Sequence, residues 1–191
     1  MPAIRGLATM PDETSATLLD AEDFDGIVRH HQQGIYRLLL GLVRNPDEAE
    51  ALTQDTFVQA FVHRASFRGD AAIGTWLARI AINRVRDRER NRAWQFWRGF
   101  SRGQGKDDAL RAAEHVADGV PDPERSLRAR QEVETVREAV ARLPLRQRAA
   151  FTLRYVEEQS LEEIASALGC RMGTVKSHLA RAVAAVRREV R

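Results

Sequence analysis

The chain has 191 residues, 43% hydrophobic and 30% charged, enough for one ordinary domain or two small ones. Lysine and arginine number 30 against 27 acids, a formal net charge of +3, and all but Lys106 and Lys176 are arginines; the two-pronged guanidinium fits phosphate or acidic protein partners, though an arginine-rich genome gives the same bias. The single Cys170 excludes an internal disulfide and a cysteine zinc cluster, Ile35 to Val43 is too short to span a bilayer, and the N-terminus lacks the basic-then-apolar order of an export signal, so a cytoplasmic location is expected.

Residues 1–20 mix Pro, Gly, Thr and Asp without period and read as a mobile tail. From Phe24, the residues Ile27, His31, Ile35, Leu38 and Leu42 recur at helical spacing, predicting one amphipathic helix that ends near Arg44. Asn45 then offers an N-cap, Pro46 suits the first helical position, and Asp47 and Glu48 complement the helix dipole, so a second helix should run to about His63. Ser66 to Asp70 is turn chemistry. A third helix from about Thr75 turns Trp76, Leu77, Ile80, Ala81 and Val85 toward a core and closes by Arg90. Weak periodicity and recurring glycines mark residues 94–122 as a flexible linker, which separates a unit at 21–93 from a second at 123–191.

In the second unit Leu127, Val133, Val136, Val140 and Leu143 predict a helix that Pro144 ends, and another should cover Arg146 to Glu157. Ser160-Leu161-Glu162-Glu163 is a capping box that marks the start of a third, Gly169 permits the left-handed turn that ends it, and a fourth starts near Gly173. No strand-like alternation occurs, so the expected fold is all-α: two small helical domains on a flexible linker.

The last two helices form a helix-turn-helix pattern, in which the second helix enters the DNA major groove. At 100° per residue Val175, Leu179, Ala182 and Val186 face inward, Thr174, Ser177 and Arg181 face outward, and Lys176 and His178 lie on the flanks, with Arg171 just ahead of the helix. A solvated helix face mixes its charges; residues 171–191 carry six basic residues and only Glu189 as an acid. The first unit divides its charge between two helices. Asp47, Glu48, Glu50 and Asp55 occur with no Lys or Arg between Asn45 and His63, a surface suited to a basic protein. Arg79 to Arg102 holds eight arginines against Asp87 and Glu89, with Asn83 among them and Trp94, Phe96 and Trp97 nearby, the chemistry of single-strand binding. Trp76, on an apolar stripe, reads on its own as core packing.

These segments resemble the extracytoplasmic-function sigma factors, the small members of the sigma-70 family. The resemblance rests on Asn45-Pro46-Asp47-Glu48-Ala49-Glu50, Leu52-Thr53-Gln54-Asp55-Thr56-Phe57, Phe67-Arg68-Gly69 and Thr75 to Asn83 in the first half. In the second it rests on Leu143 to Arg148, Leu161 to Ala165 and Gly173 to Ser177. It implies a bacterial promoter-specificity subunit. Its first domain, sigma region two, would bind the clamp helices of the core RNA polymerase largest subunit through Asp47, Glu48, Leu52, Gln54, Asp55 and Phe57. The same domain would recognise and melt the minus-ten element with Phe67, Arg68, Trp76, Arg79, Asn83, Arg84 and Arg86. Region four would read the minus-thirty-five element through Arg171, Thr174, Lys176, Ser177, His178 and Arg181. The resemblance also implies an anti-sigma factor, often membrane-anchored, as regulator. Ala51, where the family usually carries an acid, and His178, where arginine is usual, depart from the pattern, and the Trp94 to Phe100 aromatic run is no general feature of it.

Two other readings fit less of the sequence. A nuclease holding a divalent metal on Asp47, Glu50 and Asp55 lacks a nearby His or Lys base, and the histidines at 30, 31, 63, 115 and 178 have no ligand spacing, so no enzyme activity, metal or cofactor is expected. A conventional helix-turn-helix regulator with a sensory N-terminal domain leaves the acidic and the Arg-aromatic helices unexplained.

Overall fold

A computed structural model describes residues 21–100 and 123–190, with side chains placed over 24–92 and 131–190; the expected tail, residues 101–122 of the expected linker and the side chains of the aromatic run lie outside the described residues. Seven α-helices follow in chain order: α1 (Ala21–Val43), α2 (Pro46–Val62), α3 (Ile73–Phe100), α4 (Pro123–Ala141), α5 (Leu145–Tyr155), α6 (Leu161–Leu168) and α7 (Met172–Glu189), with a short 3₁₀ turn, Arg64–Ser66, between α2 and α3. No strand occurs among the described residues.

The local signals act where the sequence places them. Asn45 takes an extended conformation and its side chain accepts from the Glu48 amide at 2.9 Å, with Pro46 at the start of α2. At α6 both halves of the capping box form, Glu163 N to Ser160 Oγ at 3.2 Å and Ser160 N to Glu163 Oε2 at 2.8 Å. These bonds hold the Glu163 carboxyl below its usual range. Gly169 closes α6 at φ 61°, ψ 42°, a left-handed geometry that lacks a steric penalty only for glycine. One expectation fails: α3 runs on to Phe100 instead of closing by Arg90. Arginine is a good helix former, and no Gly or Pro interrupts residues 75–98, so the loss of apolar period after Val85 marks the end of the core, not of the helix.

Leu38, Leu39 and Leu42 of α1 pack with Ala49, Leu52 and Phe57 of α2 and Leu77, Ala81 and Val85 of α3. The same cluster continues without a break through Ala149, Ala150 and Leu153 of α5 and Ile164, Ala167 and Leu168 of α6, so in this conformation the two halves share one core. A smaller cluster, Ala139, Val140, Leu143, Ala182 and Val186, joins α4 to α7.

Candidate nucleic-acid and protein interfaces

On α7 the outward and inward faces separate as the 3.6-residue period requires. Val175, Ala182 and Val186 are buried, Leu179 is half-buried, and Arg171, Thr174, Lys176, Ser177 and Arg181 are all exposed. No acid occurs in the first turn and Arg171 makes no side-chain cap, which leaves the positive end of the α7 dipole open to an anion. His178 is half-buried, and its Nδ1 is buried with no hydrogen-bond partner. Burial first, and then the charges of Arg146 and Arg181, hold its pKa below the ordinary imidazole value. Two cations beside an imidazole whose pKa they hold down form a surface that a phosphate would relieve.

In the first half the structure divides the expected residues differently. Asp47 and Gln54 are exposed on α2. Leu52 and Phe57 are not surface residues: they are 5% and 8% exposed and sit in the core against α1 and α3, so in this conformation they present almost no surface to a partner. Their apolar side chains stabilise the helix packing that holds the outer face in place. Glu48 is also internal, its side chain 9% exposed and bound by Arg88 at 2.6 Å and Arg92 at 2.9 Å. Asp55 is bound by Arg84 at 2.5 Å. The acids of α2 and the arginines of α3, which the sequence assigns to separate partners, thus meet first across the α2–α3 contact.

The outer face of α2 carries residues the sequence reading missed. Val58, Phe61 and Val62 are 57%, 40% and 61% exposed and continue the face of Asp47, Ala51 and Gln54 at helical spacing. Phe61 is braced by the edge of Phe24, ring centroids 5.3 Å apart, and by Arg64 stacked 4.2 Å from its ring. An apolar stretch that continues past the last core-facing residue of α2 was the available signal.

Of the expected minus-ten residues, Phe67 packs on Trp76 with centroids 5.2 Å apart; both are half-buried, and Trp76 lies against the core. Arg68 and Arg86 are exposed, the latter 3.8 Å from Asp87, and Asn83 is half-buried. Arg84 is held by Asp55 and is not free in this conformation. Arg79 points into the second half of the chain, where its guanidinium donates to the Ser166 carbonyl from Nε at 2.9 Å and Nη2 at 2.5 Å, and to Ser166 Oγ at 3.1 Å. Among the described residues no three His, Cys, Asp or Glu side chains are placed to hold a metal, and no helix is long and apolar enough to cross a membrane.

Residues 27–95 match the model of sigma-70 region 2, and residues 134–186 match that of sigma-70 region 4. The RNA polymerase sigma-H factor of Pseudomonas aeruginosa is 34% identical over 176 residues, covering 87% of this chain and 86% of that one. The ECF RNA polymerase sigma factor SigW of Bacillus subtilis is 32% identical over 172 residues, covering 90% of this chain and 91% of that one. Among solved structures, the sigma factor RpoE of Bartonella quintana, in complex with the anti-sigma factor NepR, superposes with a TM-score of 0.70 at 25% identity, over 89% of this chain and 98% of that chain. Two family regions in order, nearly full-length relatives and the basic face of α7 agree: the chain belongs to the sigma-70 family of RNA polymerase sigma factors, in its extracytoplasmic-function group.

Proposed function

We propose that the chain binds core RNA polymerase through the outer face of α2, reads the minus-thirty-five element as duplex with α7, and holds the melted minus-ten element with α3 and the turn before it. The observation that carries this reading is the outward set Arg171, Thr174, Lys176, Ser177 and Arg181 on a helix whose opposite side buries Val175, Ala182 and Val186. Asp47 and Gln54 begin the polymerase-facing surface, and Val58, Phe61 and Val62 complete it, an acidic start and an apolar end suited to a basic, partly apolar helical partner. Glu48 and Asp55 act on that surface indirectly, by anchoring Arg88, Arg92 and Arg84. Phe67, Arg68, Asn83 and Arg86 are available to the non-template strand as they stand, with Trp76 supporting Phe67.

On this reading the chain supplies binding and sequence specificity, the polymerase supplies the chemistry, and both act in the cytoplasm. Likeness to a sigma factor solved with its anti-sigma factor supports regulation by such a protein. Run-off transcription with purified core polymerase on genomic fragments is the test. Chain-dependent transcripts that start at defined sites are expected, and their absence from every fragment refutes the reading.

A further inference from the structure

We propose that the part of α3 beyond the core is a further DNA site, which takes the single-stranded stretch of promoter adjoining the minus-ten element; the inference rests on the reading above. Among the described residues Val85 is the last of α3 in the core, yet the helix runs on to Phe100, about 22 Å further at 1.5 Å per residue. The arginines of this extension separate by face. At 100° per residue Arg84, Arg88 and Arg92 fall within an arc of about 80° that looks onto α2. There Asp55 takes Arg84, and the two oxygens of Glu48 take Arg88 at 2.6 Å and Arg92 at 2.9 Å. The Glu48 side chain is 9% exposed, so these charge-assisted pairs pin the first turns of the extension from one side and neutralise that side.

The register positions Asn83, Arg86, Arg90, Trp94 and Trp97 fall within a second arc of about 80° on the opposite side of the helix. Arg86 and Arg90 are exposed there, Arg90 over 76% of its side chain. The acid between them, Asp87, lies 3.8 Å from Arg86 and 3.5 Å from Arg90, too far for a strong hydrogen bond, and a phosphate can take its place at little cost. Arginines followed along one face by tryptophans suit unpaired DNA: the guanidinium groups track phosphates, and the indole offers a face on which a base stacks. Arg86 to Trp97 spans about 16 Å, the length of about five nucleotides at 3.4 Å each. The stripe starts at Asn83 and Arg86, which the minus-ten reading already gives to the non-template strand, so a strand leaving that element continues onto it.

The test uses holoenzyme assembled from core polymerase and the full chain, with fluorescently labelled non-template strands of a promoter mapped by run-off transcription. One strand ends with the minus-ten element; two others carry about five more nucleotides on its 5′ or its 3′ side. Trp94→Ala with Trp97→Ala should bind one of the longer strands about tenfold more weakly than the parent does, and the short strand equally. Trp94→Phe with Trp97→Phe, which keeps an aromatic face at both positions, should bind that longer strand within about twofold of the parent. Arg90→Ala should reduce the slope of log affinity against log salt by about 0.7 on the same strand, one phosphate contact fewer, and leave the slope on the short strand unchanged. Parent-like affinity of the double alanine variant for both longer strands overturns the site, as does an equal loss on long and short strands or an unchanged salt slope for Arg90→Ala. A parent holoenzyme that binds no strand more tightly than core polymerase alone would instead overturn the minus-ten reading.

Discussion

Replacing Val58 and Val62 together by serine tests whether the exposed end of α2 is a docking surface. Both side chains are more than half exposed, 57% and 61%, and serine adds no charge, so neither the core nor the Coulomb attraction to a basic partner is altered. Full burial of a valine side chain contributes about 2 kcal/mol, and a little over half of that remains to be gained at each position, or about 2 kcal/mol for the pair. Loss of that burial corresponds to roughly 30-fold weaker binding. Core polymerase titrated into fluorescently labelled full-length chain at fixed salt reads the change directly. Thermal melting of the same variant should stay within a degree or two of the parent. Leu52→Ala provides the contrast: its side chain is buried, so it should lower the melting temperature through a cavity cost of about 2–5 kcal/mol. An unchanged dissociation constant for the double serine variant, with normal melting, would show that the polymerase binds elsewhere and would remove Val58 and Val62 from the interface.

Arg181→Ala should weaken binding to minus-thirty-five duplex by about 1–3 kcal/mol if the guanidinium reaches a base edge, measured by anisotropy at fixed salt; equal affinity removes it from the interface. Burial and two neighbouring cations lower the pKa of His178 in the free protein, and phosphate nearby would raise it. DNA binding should therefore take up a proton and strengthen as pH falls through the ordinary imidazole value, by up to about tenfold per unit. His178→Asn should flatten that dependence, and a flat profile in the parent would place His178 away from phosphate. Stability runs the opposite way: a lowered imidazole pKa contributes stability present above the ordinary value and lost as pH falls through it. Ser160→Ala removes one half of the α6 capping box and should cost about 1 kcal/mol, a fall in melting temperature of about 2–4 °C; no shift in melting would show that α6 is held by packing alone.

Much of this protein was legible in its sequence, because helix starts and stops are local chemistry. Asn45, Pro46, Ser160, Glu163 and Gly169 act within a few residues of themselves, and each forms the bond or turn its type favours. The faces of α7 were equally readable, since a 3.6-residue period separates Val175 and Ala182 from Thr174 and Arg181 whatever else the chain does. Matters that depend on which helix lies against which were decided only in the tertiary structure. A local pattern does not show that Leu52 and Phe57 turn away from the face of Gln54, that Glu48 and Asp55 are already matched by arginines of α3, or that Arg79 ends on Ser166. Charge is counted along the chain but neutralised across space, so a near-neutral total and separate acidic and basic runs leave open whether the runs meet each other or two partners. At α2 and α3 they meet each other.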